Sequence, residues 1–318
     1  MAAPANLASV NGNQGTSQER CRMAEPLPTI RSRELGAALR DVRLAAGMTL
    51  EGVRDEIKIS PSKLSRIENG VRGAKIEDVA GLLALYRVTG KPRDELLDLC
   101  RSASEPGWWQ RFQDNLPPVL QSLIRQETAA VRIRNFETVY IPGLLQTDEY
   151  ARTILRAASP TIPEDEIEER VAARHGRQAI LSKERPPSFE AIITESALRC
   201  PVGGPIVQVG QLRWLVERAR RPHISLRVLP ISVGAHAGMS GPFVIMDFHV
   251  LPSVVHLENQ TSSLTLDEKS EIKAYKAVYA KLSETALSKE DSVAFIASMA
   301  NEIAEILEEA PPCLTATA

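Results

Sequence analysis

Cysteine is scarce: four residues, at positions 21, 100, 200 and 313 of 318, with no C-x-x-C among them. That spacing excludes a disulfide framework and a thiolate metal site, and it fits a reducing compartment. Histidine is scarcer in clusters than in number, with five scattered residues. Long apolar runs are missing too: nothing approaches the ~18 consecutive residues of a membrane helix, and the N-terminus has no unbroken segment of signal-peptide type. Charge of one sign is also lacking, since the formal net charge is −2. Any nucleic-acid contact must therefore come from a local patch and not from the overall balance. Residues 31–101 carry 14 Lys/Arg against 11 Asp/Glu, a surplus of three. With 43% hydrophobic and 25% charged residues, the chain has ordinary globular composition and length enough for two cores. These features predict a soluble, cytoplasmic protein, without membrane contact and nucleoid-associated if it binds DNA.

The most informative stretch runs from Thr49 to Gly70, T-L-E-G-V-R-D-E-I-K-I-S-P-S-K-L-S-R-I-E-N-G. Ser60 suits an N-cap, Pro61 the first helical position and Gly70 a C-cap, which brackets a helix of about ten residues. At ~100° per residue, Leu64 and Ile67 face one side while Ser62, Ser65, Arg66 and Asn69 face the other. Leu50, Val53 and Ile57 give the preceding helix an inward stripe of its own. Two short helices sharing a core, the second with a small, cationic outer face, make a helix-turn-helix with Ser60–Asn69 as recognition helix.

Met48-Thr49 opening one helix and S-P-S-K-L-S-R-I-E-N-G forming the next resemble the Xre or lambda-repressor-like helix-turn-helix domain. Two positions depart from that pattern: Arg54 stands where a small Ala packs between the helices, and Lys58 where the turn has Gly. In such a motif the start of the second helix meets base edges, which nominates Pro61, Ser62 and Arg66 for base contact, Arg66 being able to grip guanine bidentately. Arg43, Thr49, Lys63, Ser65, Asn69 and Arg72 are then expected to hold phosphates. One short recognition helix reads too few base pairs for genomic specificity, so a homodimer on an inverted-repeat operator of double-stranded DNA is expected.

Around this pair, residues 1–28 are polar and aperiodic, a disordered leader. Arg31–Ala46, Lys75–Tyr86 and Pro92–Ser102 complete an all-α five-helix domain over residues 29–105. Glu105-Pro106-Gly107 reads as the joint between domains, and Trp108, Trp109 and Phe112 as packing across it. Residues 106–310 form an α+β domain with a mixed or antiparallel sheet covered by helices, and 311–318 a tail. V-R-I-R-N-F and the following V-Y-I read as a strand pair. Further strands are expected at Phe189–Thr194, Ile224–Leu229, Phe243–Phe248 and Val254–Leu257. Helices are expected at Pro117–Ala130, Leu144–Ala158 (restarting at Thr147), Pro163–Ser182, Gln211–Arg220, Asp267–Leu282 and Ser288–Glu309.

Catalytic fragments in this second half lack their partners. His256-Leu257-Glu258 matches the H-x-E of zinc deaminases, but no P-C-x-x-C follows. Gly238-Met239-Ser240-Gly241 is one residue short of G-x-S-x-G and sits in a Gly-rich turn. His249 and His256 facing each other across a hairpin are expected to be satisfied structural histidines and not metal ligands. Arg170, Arg174, Arg177 and Gln178 share one helix face, either an anion site or, the safer reading, a solvated face paired with Glu166 and Glu169. No catalytic residue, cofactor or metal is assigned, and the chain is not expected to be an enzyme.

Ile141-Pro-Gly-Leu-Leu-Gln-Thr147 with Tyr150-Ala-Arg152, Ala173-Arg-His-Gly-Arg-Gln178, Pro201-Val-Gly-Gly204 and Gly241-Pro-Phe243 resemble the antitoxin-like domain of unknown function found behind Xre-type domains in high-GC bacterial regulators. That resemblance implies a transcriptional regulator whose C-terminal domain binds an effector or a small partner protein encoded by a neighbouring gene. Two alternatives stay open: an antitoxin neutralising a small partner by direct contact, and an enzyme localised on DNA. Trp108, Trp109 and the acidic helix Ser288–Glu309 offer surfaces for such contacts.

Overall fold

A computed structural model of the chain describes residues 30–71, 73–104, 116, 118–159, 161–259 and 262–309. The expected leader, the joint at 105–107 with Trp108, Trp109 and Phe112, Arg72 and the C-terminal tail lie outside the described residues. Five helices come first: α1 (Ile30–Ala45), α2 (Leu50–Ile57), α3 (Pro61–Glu68), α4 (Ile76–Leu85) and α5 (Lys91–Ser104). They share one core in which Leu35, Leu39, Val53, Leu64, Val79 and Leu82 are buried. The apolar spacing read from each helix is the spacing that reaches this core.

The second region starts with α6 (Pro118–Ala129), β1 (Arg132–Glu137), α7 (Asp148–Ala158) and α8 (Glu164–Gln178). It continues through β2 (Ser188–Thr194), α9 (Glu195–Arg199), α10 (Gly204–Ala219), β3 (Ile224–Leu229), β4 (Phe243–Asp247), β5 (Val254–Glu258), β6 (Ser263–Leu266), α11 (Lys269–Thr285) and α12 (Lys289–Glu309). The six strands form one mixed sheet in the order β3-β2-β1-β4-β5-β6. β1, β2 and β3 run parallel, and β4, β5 and β6 are antiparallel to their neighbours. One face packs Ile133, Phe189, Ile193 and Val228 against α10 and α12. The other packs Phe136, Ile192, Phe243 and Val255 against Ile272, Tyr279 and Leu282 of α11. A sheet covered on both faces needs apolar side chains on both, which is why the alternation in V-R-I-R-N-F breaks at Asn135-Phe136.

Several expected elements differ. Val139-Tyr140-Ile141 does not form a strand: Val139 and Tyr140 are exposed turn residues leading into a 3₁₀ turn at Gly143–Leu145, because Pro142 has no amide to donate to a ladder. The helix expected at Gln211 starts seven residues earlier, at Gly204, with Pro205 in its first turn. The four-residue, half-exposed edge strand β6 and the one-turn α9 carry too little pattern to be read from sequence. The apolar face of α12 is part of the core, since Ile296, Met299 and Ala300 are buried against α10 and β3; that face is not a docking surface.

The two regions touch. Arg31 of α1 donates to the Thr128 carbonyl of α6 at 2.6 Å. The His249 amide, in the β4–β5 connection, donates to Glu34 Oε1 at 3.2 Å, and Glu34 is only 1% exposed. Its burial raises the carboxyl pKa against the opposing pull of the His249 contact.

Candidate nucleic-acid interface and a buried polar layer

Both helices of the motif are capped as their sequence demands. Thr49 Oγ1 accepts from the Gly52 amide at 3.0 Å, and Ser60 Oγ accepts from the Lys63 amide at 3.2 Å ahead of Pro61. Between them Lys58 takes φ +60°, so the left-handed turn is kept without glycine, at a cost of ~1–2 kcal/mol. Arg54, the other departure, is exposed beside Asp55 and does not enter the helix–helix contact. α3 ends with Asn69 Nδ2 donating to the Ser65 carbonyl at 2.8 Å and Gly70 at φ +68°. A Cβ on Gly70 would lie 2.8 Å from Arg33 Cα, and one on Gly36 only 2.5 Å from the carbonyls of Ile67 and Glu68. Two glycines thus let α1 and the end of α3 meet at backbone distance.

On α3 the structure turns Leu64 and Ile67 inward and leaves Ser62 and Asn69 exposed, with Pro61, Lys63, Ser65 and Arg66 half-buried at the surface. Thr49 is exposed at the start of α2. These seven residues remain accessible together on the two helices. Arg43 does not join them. The residue is 7% exposed, and its guanidinium grips both Glu68 oxygens at 2.7 and 2.9 Å and donates to the Met48 carbonyl at 2.7 Å. The Glu68 hydrogen bond holds its pKa above the usual arginine value. Arg43 is a tie between α1, α3 and the turn before α2, so its assignment to phosphate is corrected. Its helical position beside the apolar stripe looks the same in sequence for a surface cation and for a buried one. Lys63 is held near α4 by Asp78 at 2.8 Å, which reduces the positive field that it offers.

A second constellation lies in the α+β region. Asn135, Val244, His256 and Thr265 are in register across β1, β4, β5 and β6, on the face that α6 and α8 cover. Glu137 and Glu258 follow two residues along on the same face. From above, α8 supplies three guanidiniums on successive turns. Arg177 binds Glu127 bidentately at 2.6 and 2.9 Å, Arg170 binds Glu166 at 2.6 Å, and Arg174 donates to the neutral Gln146 at 2.6 Å. Arg177 and Gln178 are buried and Arg170 and Arg174 half-buried, so the face is not the solvated one expected, although Arg170 does pair with Glu166. Burial pulls the Arg174 pKa down to about 10. For Arg177, burial works in the same direction, and Glu127 more than offsets it. Burial pushes Glu137 up to about 8, against a hydrogen bond from Asn135 and with the help of Glu258. His256 is 3% exposed with neither ring nitrogen bonded, and burial lowers its pKa. It is therefore not a satisfied histidine, nor does it face His249, whose segment turns toward Glu34. Among the described residues no group of His, Cys, Asp and Glu is arranged to hold a metal ion.

Sequence reasoning missed Glu127, Asn135, Glu137 and Gln146. A signal existed: Asn135 and Glu137 share strand parity with Ile133, so two polar residues point where an apolar one is buried.

No helix among the described residues is long and apolar enough to cross a membrane. A helix-turn-helix domain model matches residues 34–96. A model of a domain of unknown function, DUF5753, matches residues 120–298, more than half of the chain. No curated protein and no solved structure matches.

Proposed function

The chain belongs to the DUF5753 family, with a helix-turn-helix domain ahead of that region, and from this premise we propose that it is an Xre-type, sequence-specific transcription regulator acting as a homodimer on an inverted-repeat operator. The helix-turn-helix domain makes it a DNA-binding regulator. The observation that carries the finer reading is α3 itself: capped at both ends, apolar within, and presenting Ser62 and Arg66 at its surface. In this reading Pro61, Ser62 and Arg66 meet base edges, while Thr49, Lys63, Ser65 and Asn69 hold phosphates. The C-terminal region binds an effector or partner protein and does no chemistry.

The antitoxin-like alternative has one observation in its favour. An open hollow of about 420 Å³ between α7 and α10 is lined by Trp214 and Val207, next to Ile206, which is 66% exposed. A small protein partner needs such apolar surface.

Genome-wide mapping of bound sites, followed by footprinting and light scattering, tests the main reading. The expected result is an inverted repeat with half-sites about one helical turn apart, bound by a dimer. Arg66→Ala should cost ~1–3 kcal/mol on the operator and relax specificity there. Equal losses on operator and random duplex would remove Arg66 from the base contacts, and a monomer protecting a single half-site would remove the dimer.

A further inference from the structure

The polar layer between α8 and the β1–β6 end of the sheet is underused by the fold. Buried polar atoms in a native protein are almost always bonded, yet here Gln126 Oε1, Asn135 Oδ1, Arg170 Nε and both nitrogens of His256 have no partner. Gln126, Asn135 and His256 are 8%, 7% and 3% exposed, so bulk water does not serve them. An apolar layer would have been cheaper, and a half-satisfied one is the worst arrangement for stability alone.

The charges point the same way. Of three guanidiniums on one helix face, two have carboxylates of their own, and the third, Arg174, has only the amide oxygen of Gln146. Among the described residues no carboxylate lies within ion-pair distance of Arg174. Glu258 and Glu127 act on Arg174 only through space; a half-buried cation without a contacting counter-ion is costly, and a planar guanidinium matches an oxyanion in two bonds. The layer reaches the surface at one edge, where Arg170, Arg174 and Glu137 are partly exposed and Glu258 is exposed.

We propose that this layer is the binding site of a small metabolite bearing an oxyanion, a carboxylate or a phosphate, which Arg174 grips while His256, Gln126 and Asn135 bond its neutral polar groups. This rests on the reading of the C-terminal region as an effector-binding module and gives that module its site and ligand class. Glu137, neutral below about pH 8, offers a carboxyl proton as a further donor. The site also borders the DNA-binding region. α6 carries Gln126 and Glu127 into the layer, and its Thr128 carbonyl accepts from Arg31 of α1, so a shift of α6 on ligand entry reaches the helix that packs on α3.

Thermal melts of the full chain with inorganic phosphate, succinate or chloride at equal ionic strength, alongside Arg174→Met and His256→Phe, test this. Phosphate or succinate, whichever carries the right group, should raise Tm of the wild type with concentration while chloride does not. Arg174→Met should weaken that response about tenfold or more, the loss expected for a charge-assisted bond. Ligand-free His256→Phe should melt at or above the wild-type temperature, because it removes a buried ring with no hydrogen-bond partner, whereas Arg174→Met strips Gln146 of its donor and is read only for its response to ligand. If ligand-free His256→Phe instead melts several degrees lower, the layer is structural and the proposal fails. It fails equally if neither oxyanion shifts the wild type beyond chloride. Operator binding by fluorescence anisotropy, using the mapped site, separates the two readings: a chain that binds operator but no oxyanion refutes the site alone, and one that binds oxyanion but no DNA refutes the regulator alone.

Discussion

Arg43 shows how one guanidinium changes meaning between sequence and structure. It sits among exposed cations in the sequence and is buried against Glu68 in the fold, with side-chain exposures of 8% and 5% for the pair. Removing one partner leaves the other charge buried and uncompensated, which costs ~3–5 kcal/mol. Arg43→Ala should therefore lower the unfolding free energy of the helix-turn-helix region, read from its urea denaturation, by that amount. The fraction still folded should keep the wild-type salt dependence on DNA, and a flattened salt slope would return Arg43 to the phosphate contacts. Glu137 and His256 make a second residue-level prediction, in pH. Folded Glu137 keeps its proton to about pH 8, against an ordinary carboxylate value of 4.5. The folded state thus binds the extra proton across that window, and stability is lost as pH rises through it, by at most about 1.4 kcal/mol per unit. His256 acts oppositely below its ordinary value of 6.5: burial lowers its pKa, so the unfolded chain protonates first and stability is gained as pH rises to 6.5. Of the two, only Glu137 acts between 6.5 and 8. Tm should fall over that interval and Glu137→Gln should level the profile; a wild-type profile already flat there would remove Glu137 as a buried proton carrier.

At the scale of elements, α3 was legible because its instructions are local. Caps depend on one side chain and an amide three residues on, and both Ser60 and Thr49 perform as their positions require. The helical period then fixes which side chains turn inward. What locality did not reveal is the contact with α1, where Gly36 lies against the Ile67 and Glu68 carbonyls. A glycine inside a helix ordinarily weakens it, and here the close approach of two carbonyls gives it a steric reason. Gly36→Ala gains helix propensity of ~1 kcal/mol yet puts a methyl 2.5 Å from two carbonyl oxygens, and overpacking of this kind costs ~1–3 kcal/mol or more. Net destabilisation is expected in chemical denaturation, whereas Gly81→Ala, whose added methyl meets nothing within 4 Å, should be neutral or stabilising. A stabilised Gly36→Ala would mean that α1 and α3 are farther apart than described.

On the scale of the molecule, the DNA-binding region is docked onto the α+β region through one face of α1. Glu34 is the central contact: buried, accepting from the His249 amide, and flanked by Arg31 bonded to α6. Glu34→Ala leaves that amide without its acceptor, a loss of ~1–3 kcal/mol. Hydrogen exchange of the full chain should then show the β4–β5 connection exchanging on the order of tenfold faster, with α2, α3 and α4 unchanged. Unaltered exchange at that connection would show that the docking does not depend on Glu34. The same junction of α1 and α6 lies between α3 and the layer proposed as an oxyanion site, the connection that proposal needs.

The sequence by itself determined whatever depends on neighbours along the chain: five amphipathic helices, two capped turns, the outward face of Ser60–Asn69, and the change to short strands after Val131. Resemblance extended this to the region behind the helix-turn-helix, where one family model matches residues 120–298. Tertiary structure alone decided the strand order, the burial of both sheet faces, and the fate of each charge. Arg43, Arg174, Arg177 and Glu127 are isolated letters in the sequence, and whether a charge is solvated, paired or stranded depends on what packs over it from 25 to 50 residues away. Coulomb and desolvation energies act through space and not along the chain, so the buried polar layer became visible only once α8 was laid across the sheet.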